Sequence, residues 1–585
     1  MSERFKTLSQ ELAHEFAEAG VTDAFLVTGG AIAPFTSAIA EQGRIRMHFM
    51  LTEQSAGIAA EAYGYLDLRP ALLVITSGPG VTNALTPVAA AWTNSSPVIV
   101  VSGQARSSDV ALSQNSSSRQ VGSQHLRTDQ LVGSIVKRFI ELKEANASKS
   151  LISRLIKDST EGRPGPVWLS IPQDLQRGFC SAKELSLVPL DVPPLFNSIE
   201  FKELVKGYLS KSKAPSILVG AGARFAFPQI LKFAEKFQIP ILTTWPAMDL
   251  IHGNHPLYCG RPGSIPSTWL PNLINVETDF LLVFGARLDL GQVGYNPEKF
   301  ALNANVIRVD VDSEEFTRIP VRHNWHNIHA DIEQVVQPLL EMSLTANVSN
   351  FGSWWEQIHN WKERYPKPAQ IPQEFSDGVS SYQLISHASQ IFKDRTIVTG
   401  SSGTCMEMLL QAWSVHDNQR IVNSCGIGSM GFAIAAAIGV ATKTNAEDLI
   451  CVESDGSLAM NLQDLSTMLN MVTKFKVIVM DSAGYKSIAL SQKRLNQVQH
   501  GNHMVTGLSL PDLYSIAKEM GFQVKTVDSD SQLQAQLSWL NACESSALLI
   551  VRVSAEEEAL PRLISKPNAE GIMVTPEMQN LSPGF

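Results

Sequence analysis

The chain has 585 residues, a formal net charge of −9, and 18% charged residues against 44% hydrophobic ones. That length corresponds to about three domains. The composition argues against nucleic-acid binding, which needs clustered Lys and Arg, against disorder, and against a membrane span, since no apolar run, 431–441 included, reaches about 18 residues. No apolar stretch of signal-peptide type follows Met1, and six scattered cysteines without a C-x-x-C pair predict a cytoplasmic protein rather than a disulfide or zinc framework.

In chain order, apolar runs at Ala71–Thr76 and Pro97–Ser102 alternate with helical stretches, the pattern of buried parallel strands joined by crossover helices. This first block closes near Gly162–Pro172. Residues 181 to about 196, with Pro189, Pro193 and Pro194, read as a linker. A second block begins near Phe201, with strands at Ser216–Gly220, Phe280–Phe284 and Asn305–Asp310. A polar linker is expected from about Leu344 to Glu374. The third block has strands at Thr396–Thr399, Asp448–Val452 and Lys476–Met480. The first and third blocks are similar in size, which permits a duplication without showing one.

Two loops carry the chemistry. Glu453–Ser457 and Asp481–Tyr485 each follow a predicted strand, and open α/β sheets bind ligands at the carboxyl ends of their strands. A single amphipathic helix with Leu458, Leu462, Leu465 and Leu469 is expected after the first loop. Asp455 is a hard oxygen donor to which the second loop can add others, a donor set that suits Mg²⁺ completed by phosphate oxygens. In the middle block, Gly220-Ala221-Gly222 and Gly285-Ala286-Arg287 follow strands and Asp310 ends a third. Glycines there permit close nucleotide approach, and an acid at a strand end can bind ribose hydroxyls.

These segments resemble the thiamine-diphosphate enzymes of the acetohydroxyacid synthase and pyruvate oxidase group. The family's Gly-Asp-Gly…Asn-Asn motif stands as Ser454-Asp455-Gly456…Asp481-Ser482. Thr52–Gly57, Thr76–Asn83, Gly162–Pro166 and Gly426–Phe432 match further family segments in order. The resemblance implies three doubly wound parallel-sheet α/β domains: pyrimidine-binding over 1–180, central over 196–345, diphosphate-binding over 370–552, then a tail over 553–585. It implies a homodimer or homotetramer with active sites between subunits.

The resemblance also implies roles. Glu53 would hydrogen-bond the cofactor's pyrimidine nitrogen and start the proton relay at the thiazolium. Gln124, Gln120 and Gly30 would complete the catalytic set. Met430 and Gly428 would support the bent cofactor. Ser401, Ser402, Gly403, Thr404, Gly456 and Ser457 would cradle the diphosphate. Asp455, Ser482 and the carbonyl of Gly484 would bind Mg²⁺, with Asp481 the alternative to Ser482. In the central domain FAD would lie against Arg163, Gly220, Ala221, Gly222, Thr244, Trp245, Gly285, Ala286, Arg287, Asp310, Val311 and Asp331.

The implied reaction is decarboxylation of pyruvate followed by ligation to an acceptor ketone. Against the family pattern, Gly291 stands where a second arginine would pair with an acceptor carboxylate, and Ser491 where a tryptophan would narrow the pocket. Both changes point to the ketosugar-acetylating branch. The alternatives are an acetolactate synthase using a second 2-oxo acid, a flavin-dependent 2-oxo-acid oxidase, and a non-catalytic nucleotide-binding homologue.

Overall fold

The computed structural model describes residues 6–584 apart from 146–148, 181–186, 189, 191, 192, 194, 195, 266, 320, 321, 344–350, 445–447, 472 and 473. Pro189 and Pro194 of the first expected linker therefore lie outside the described residues.

Three parallel sheets organise the chain. The first contains β1 (Asp23–Leu26), β2 (Arg46–Phe49), β3 (Ala71–Ile75), β4 (Val98–Gln104), β5 (Arg138–Glu141) and β6 (Val167–Pro172), in the order β2-β1-β3-β4-β6-β5. The second contains β7 (Pro215–Val219), β8 (Ile241–Thr243), β9 (Phe280–Phe284), β10 (Asn305–Asp310) and β11 (Trp325–His329), ordered β11-β10-β9-β7-β8. The third contains β12 (Thr396–Thr399), β13 (Ile421–Val422), β14 (Leu449–Ser454), β15 (Lys476–Asp481), β16 (Gln523–Val527) and β17 (Ala547–Arg552), ordered β13-β12-β14-β15-β17-β16. Strands such as β3, β4 and β9 are buried along their whole length, as parallel sheets covered on both faces require. The α/β class and parallel sheets expected from the sequence are those observed.

The first and third sheets have the same strand order, a likeness that block size alone only permitted. In each, the helix after the second strand is buried nearly all round: Glu53–Asp67 in the first and Phe432–Ala441 in the third. An all-round apolar helix must lie inside protein or membrane, and this pair solves the problem mutually. The two pack directly on each other, and a side chain on Gly439 would collide with the Ala59 carbonyl. One apolar core runs through both, from Phe25 and Ala56 to Phe432 and Val479. The run near 431–441 is thus a core helix, and among the described residues no helix is long and apolar enough to cross a membrane.

A carboxylate is buried at this junction. Glu61 Oε1 accepts from Asn94 Nδ2 at 2.7 Å and from Ser424 Oγ at 2.8 Å, while Oε2 has no partner. Burial pushes its carboxyl from an ordinary 4.5 up to about 7. The stability this group contributes is complete below pH 4.5 and is lost as pH rises through 7. Melting temperature should therefore fall between about pH 4.5 and pH 7 and level off above that. Glu61→Gln, which keeps the acceptor but cannot ionise, should show a shallower fall in scanning calorimetry.

The polar linker expected from Leu344 to Glu374 needs correction. Beyond 344–350, which lie outside the described residues, Gly352–Arg364 is a helix. Trp354 and Ile358 are buried with Phe351 in the central core, and Trp354 Nε1 donates to the Pro215 carbonyl at 3.1 Å. Apolar residues at helical spacing outweighed the polar composition. The helix expected after Asp455 is also broken, into Asp455–Leu458, a 3₁₀ turn at Ala459–Asn461 and Asp464–Met471. The segment beyond β17 packs back onto the body. Glu557 accepts from Ser380 Oγ and the Ser381 amide at 2.6 Å each, and Asn272 Nδ2 donates to the Met578 carbonyl at 2.8 Å.

Candidate active site

Glu53 is the first residue of its helix, behind Thr52, whose Oγ1 accepts from the Ser55 amide. It is 9% exposed, and Asn83 Nδ2 donates to its Oε2 at 3.0 Å. Oε1 makes no hydrogen bond among the described residues and faces Gly80, where a Cβ would come within 3.4 Å of it. The loop after β3 gathers the neighbours. Ser77 Oγ lies 3.5 Å from Gln124 Oε1, Gly78 approaches Gln124 so closely that a Cβ would lie 2.9 Å from it, and Gly29, next to Gly30, abuts Thr76. Glu53, Gln124 and Gly30 therefore border one region. Gln120 is exposed and makes no side-chain hydrogen bond among the described residues. Asn83 lay within a matched segment but showed no sequence signal of its bond to Glu53.

A second group surrounds a cavity of about 270 Å³ lined by Ser402, Gly403, Thr404, Met430, Gly456, Ser457, Ser482 and Gly484, among others. Ser401 does not line it; its hydroxyl donates to the Ser429 carbonyl and fixes the loop next to Gly428, whose φ is +67°. Ser457 Oγ accepts from the Gly431 amide at 2.8 Å, tying the Met430 loop to the Asp455 turn. Lys486, Cys405 and Tyr485 also line the cavity and were not singled out from the sequence.

Asp455 is 2% exposed; Oδ2 accepts from the Gly484 amide at 2.8 Å and Oδ1 is buried without a hydrogen-bond partner among the described residues. Burial and the adjacent Asp481 carboxylate raise its carboxyl to about 7. Ser482 Oγ donates to the Gly484 carbonyl at 3.1 Å. Asp455 and Asp481 face a neighbouring space of about 240 Å³, whereas Ser482 and Gly484 face the first cavity. No three His, Cys, Asp or Glu side chains converge among the described residues. The oxygens available are an orphaned carboxylate, a second carboxylate, a hydroxyl and a carbonyl, which is the donor chemistry of a hard divalent cation. Glu53 does not line the Met430 cavity.

A third space, about 740 Å³, is lined by Arg163, Ala221, Gly222, Thr244, Trp245, Gly285, Ala286, Arg287, Asp310, Val311 and Asp331. That volume falls in the range of about 300–1,000 Å³ that takes cofactor-sized ligands. Gly220 does not line it but lets β7 and β9 approach, since a Cβ there would collide with the Gly285 carbonyl. Trp245 Nε1 is buried without a hydrogen-bond partner among the described residues, and burial raises Asp310 to about 6. Arg163 is committed to Asp312 and Glu315 at 2.9 and 2.6 Å. Arg224 is committed to Asp249 at 2.8 Å, and Arg318 pairs with Glu315. The Arg287 guanidinium bonds only the Thr93 carbonyl, at 2.9 Å, among the described residues. Gly291 also lines this space. Ser491 lines neither the 270 Å³ nor the 740 Å³ space.

Three family models match the chain in order. They are the thiamine pyrophosphate enzyme N-terminal TPP binding domain over residues 6–130, the central domain over 203–339 and the C-terminal TPP binding domain over 401–551. The large subunit of acetolactate synthase isozyme 1 from Escherichia coli (strain K12) is 28% identical, covering 95% of each chain. The acetolactate synthase large subunit of Cyanidium caldarium is 26% identical over 96% of each chain. The chloroplastic acetolactate synthase 2 of Zea mays is 26% identical over 95% of this chain and 87% of its own.

Proposed function

The chain belongs to the thiamine pyrophosphate enzymes, and on that premise we propose that it decarboxylates pyruvate and joins the two-carbon unit to a ketone without a carboxylate. It is a carboligating enzyme; the acceptor class is the further step. Thiamine diphosphate, when bound, supplies the electron sink that lets a 2-oxo acid lose CO₂ and its acyl carbon join a second carbonyl. Glu53 Oε1 is the open oxygen that would hold a proton at the pyrimidine ring, and Asn83 fixes the other oxygen. Met430 and the small residues around Gly403 and Gly456 would shape the cofactor's bed, with Asp455 as the anionic metal ligand.

The observation that carries the acceptor assignment is Gly291. It brings no side chain to the 740 Å³ space, and Arg163, Arg224 and Arg318 in that wall are already paired with carboxylates. Among the described residues only Arg287 in that wall lacks a carboxylate partner, and it is assigned below to FAD, so an acceptor carboxylate would have no guanidinium of its own, whereas a hydroxylated ketone, the class that includes ketosugars, needs none. Acetolactate formation is the second reading, favoured by the names of the relatives. With pyruvate as donor, kcat/KM should be higher for a bulky hydroxyketone than for 2-oxobutyrate or a second pyruvate. The opposite order would establish the second reading.

FAD is the proposed occupant of the large cavity. Trp245 Nε1 is an unmatched donor in its wall, and Arg287 has no carboxylate partner among the described residues. The purified protein should be yellow and release FAD on denaturation. Arg287→Ala should weaken FAD retention about 10- to 100-fold, measured by flavin fluorescence after dialysis.

A homodimer or larger assembly is proposed because exposed apolar residues flank both half-sites. Phe49 and Leu51 are 57% and 56% exposed near Glu53, and Ile427 and Met460 are 46% and 51% exposed near Met430. Such patches mark interfaces, and pairing two copies would bring complementary half-sites together.

A further inference from the structure

Lys486 is the one cationic side chain in the wall of the 270 Å³ cavity, and no carboxylate lines that wall among the described residues. It opens the helix Lys486–Arg494 directly after the second loop and is 7% exposed. The only hydrogen bond of its ammonium among the described residues is from Nζ to Ser381 Oγ at 3.4 Å, and no carboxylate stands within ion-pair distance among them. The nearby acids are engaged elsewhere. Glu557 accepts from Ser380 Oγ and the Ser381 amide, and Asp377 accepts from Ser554 Oγ and the Ala555 amide.

An ammonium has three donors and is costly to bury without an anion. Here it is buried, under-bonded and turned toward a space whose remaining polar lining is hydroxyls and glycine backbone: Ser402, Gly403, Thr404, Gly456 and Ser457. Met430, Met480, Ile488 and Val553 make the rest of the wall apolar, and the hydroxyl and glycine-backbone side beside Lys486 fits a phosphate-bearing group.

We propose that Lys486 Nζ binds the diphosphate of thiamine diphosphate, as a cation fixed in the protein that shares with the divalent metal the neutralisation of the phosphate charge. The inference rests on the reading of this cavity as the cofactor site. Its consequence is specific to this loop. Where metal ligation relies on a short Ser482 or on Asp481, a covalently tethered cation lessens the dependence of cofactor binding on the ion.

The test uses the full-length protein stripped of cofactor and compares wild type with Lys486→Met, Lys486→Gln and Lys486→Arg. Calorimetric Kd values are taken for thiamine diphosphate and for thiamine, with saturating Mg²⁺ and with excess EDTA. Lys486→Met and Lys486→Gln should weaken thiamine diphosphate about 10- to 100-fold while changing thiamine less than about 2-fold. Lys486→Arg should recover most of the loss. In EDTA the wild type should keep residual affinity for thiamine diphosphate that Lys486→Met lacks. Equal losses for both ligands would reduce Lys486 to a packing role. Unchanged thiamine diphosphate affinity, or a change confined to the KM for pyruvate, would overturn the proposal. Should Lys486→Met melt early, Lys486→Gln and the salt sensitivity of wild-type binding give the same decision. If wild type binds neither ligand, the reading of the cavity falls, and this inference with it.

Discussion

Glu53→Gln should lower carboligation by about 10²- to 10⁴-fold, the range expected when a positioned general acid–base group is lost. The side chain opens the helix Glu53–Asp67, is almost buried, and is oriented by Asn83 on Oε2 with Gly80 beside Oε1. Glutamine has the same reach and its oxygen can still accept from Asn83. It cannot take up or release a proton under working conditions. The fold and cofactor affinity should therefore change little while proton exchange at the cofactor's reactive carbon slows. Proton NMR of that exchange, with product formation measured in parallel, separates chemistry from binding. Near-wild-type exchange would remove Glu53 from the mechanism.

Asp455→Ala should abolish Mg²⁺-dependent binding of thiamine diphosphate, weakening it by at least about 100-fold. The carboxylate has one oxygen fixed by the Gly484 amide and one buried without a partner. A buried acceptor left in that state is costly unless something completes it. Deleting it removes the anionic donor and frees the Gly484 amide that positions the second loop. The companion variants distinguish the remaining ligand. Loss of metal dependence in Ser482→Ala assigns the hydroxyl beside the Gly484 carbonyl. Loss in Asp481→Ala, with Ser482→Ala unaffected, assigns the carboxylate that adjoins Asp455. Calorimetry with Mg²⁺ titrated at fixed cofactor reads both.

The strands that matter most were legible because they are long, apolar and bounded by turn residues. Ala71–Ile75, Phe280–Phe284 and Lys476–Asp481 stand within a residue or so of their expected limits. The helix Gly352–Arg364 was missed because its exposed face is polar and its buried face rests on a few aromatic residues. Site loops were legible through their glycines. Gly403, Gly428 and Gly431 have positive φ, which side-chain-bearing residues rarely adopt. What spacing cannot convey is which side chain meets which across the fold. Asn83 on Glu53, Trp245 without a partner and Lys486 in the cavity wall depend on long-range packing. Nor could local pattern show that Asp455 and Ser482 face different spaces, because that depends on how Asp481 and Gly484 turn at the end of β15.

The contact between Gly439 and Ala59 is a fulcrum. Glu53 lies six residues before Ala59, about 9 Å along its helix axis, and Phe432, where the facing helix begins just after Met430, lies seven residues before Gly439, about 10 Å on the same rise per residue. A tilt of about 6° at that point would carry either end roughly an ångström, a displacement large enough to matter for reacting groups. The helix starts beside Glu53 and Met430 therefore share one packing contact. Where each of two paired copies supplies half of each site, as proposed above, a tilt at this contact would move groups that belong to both sites.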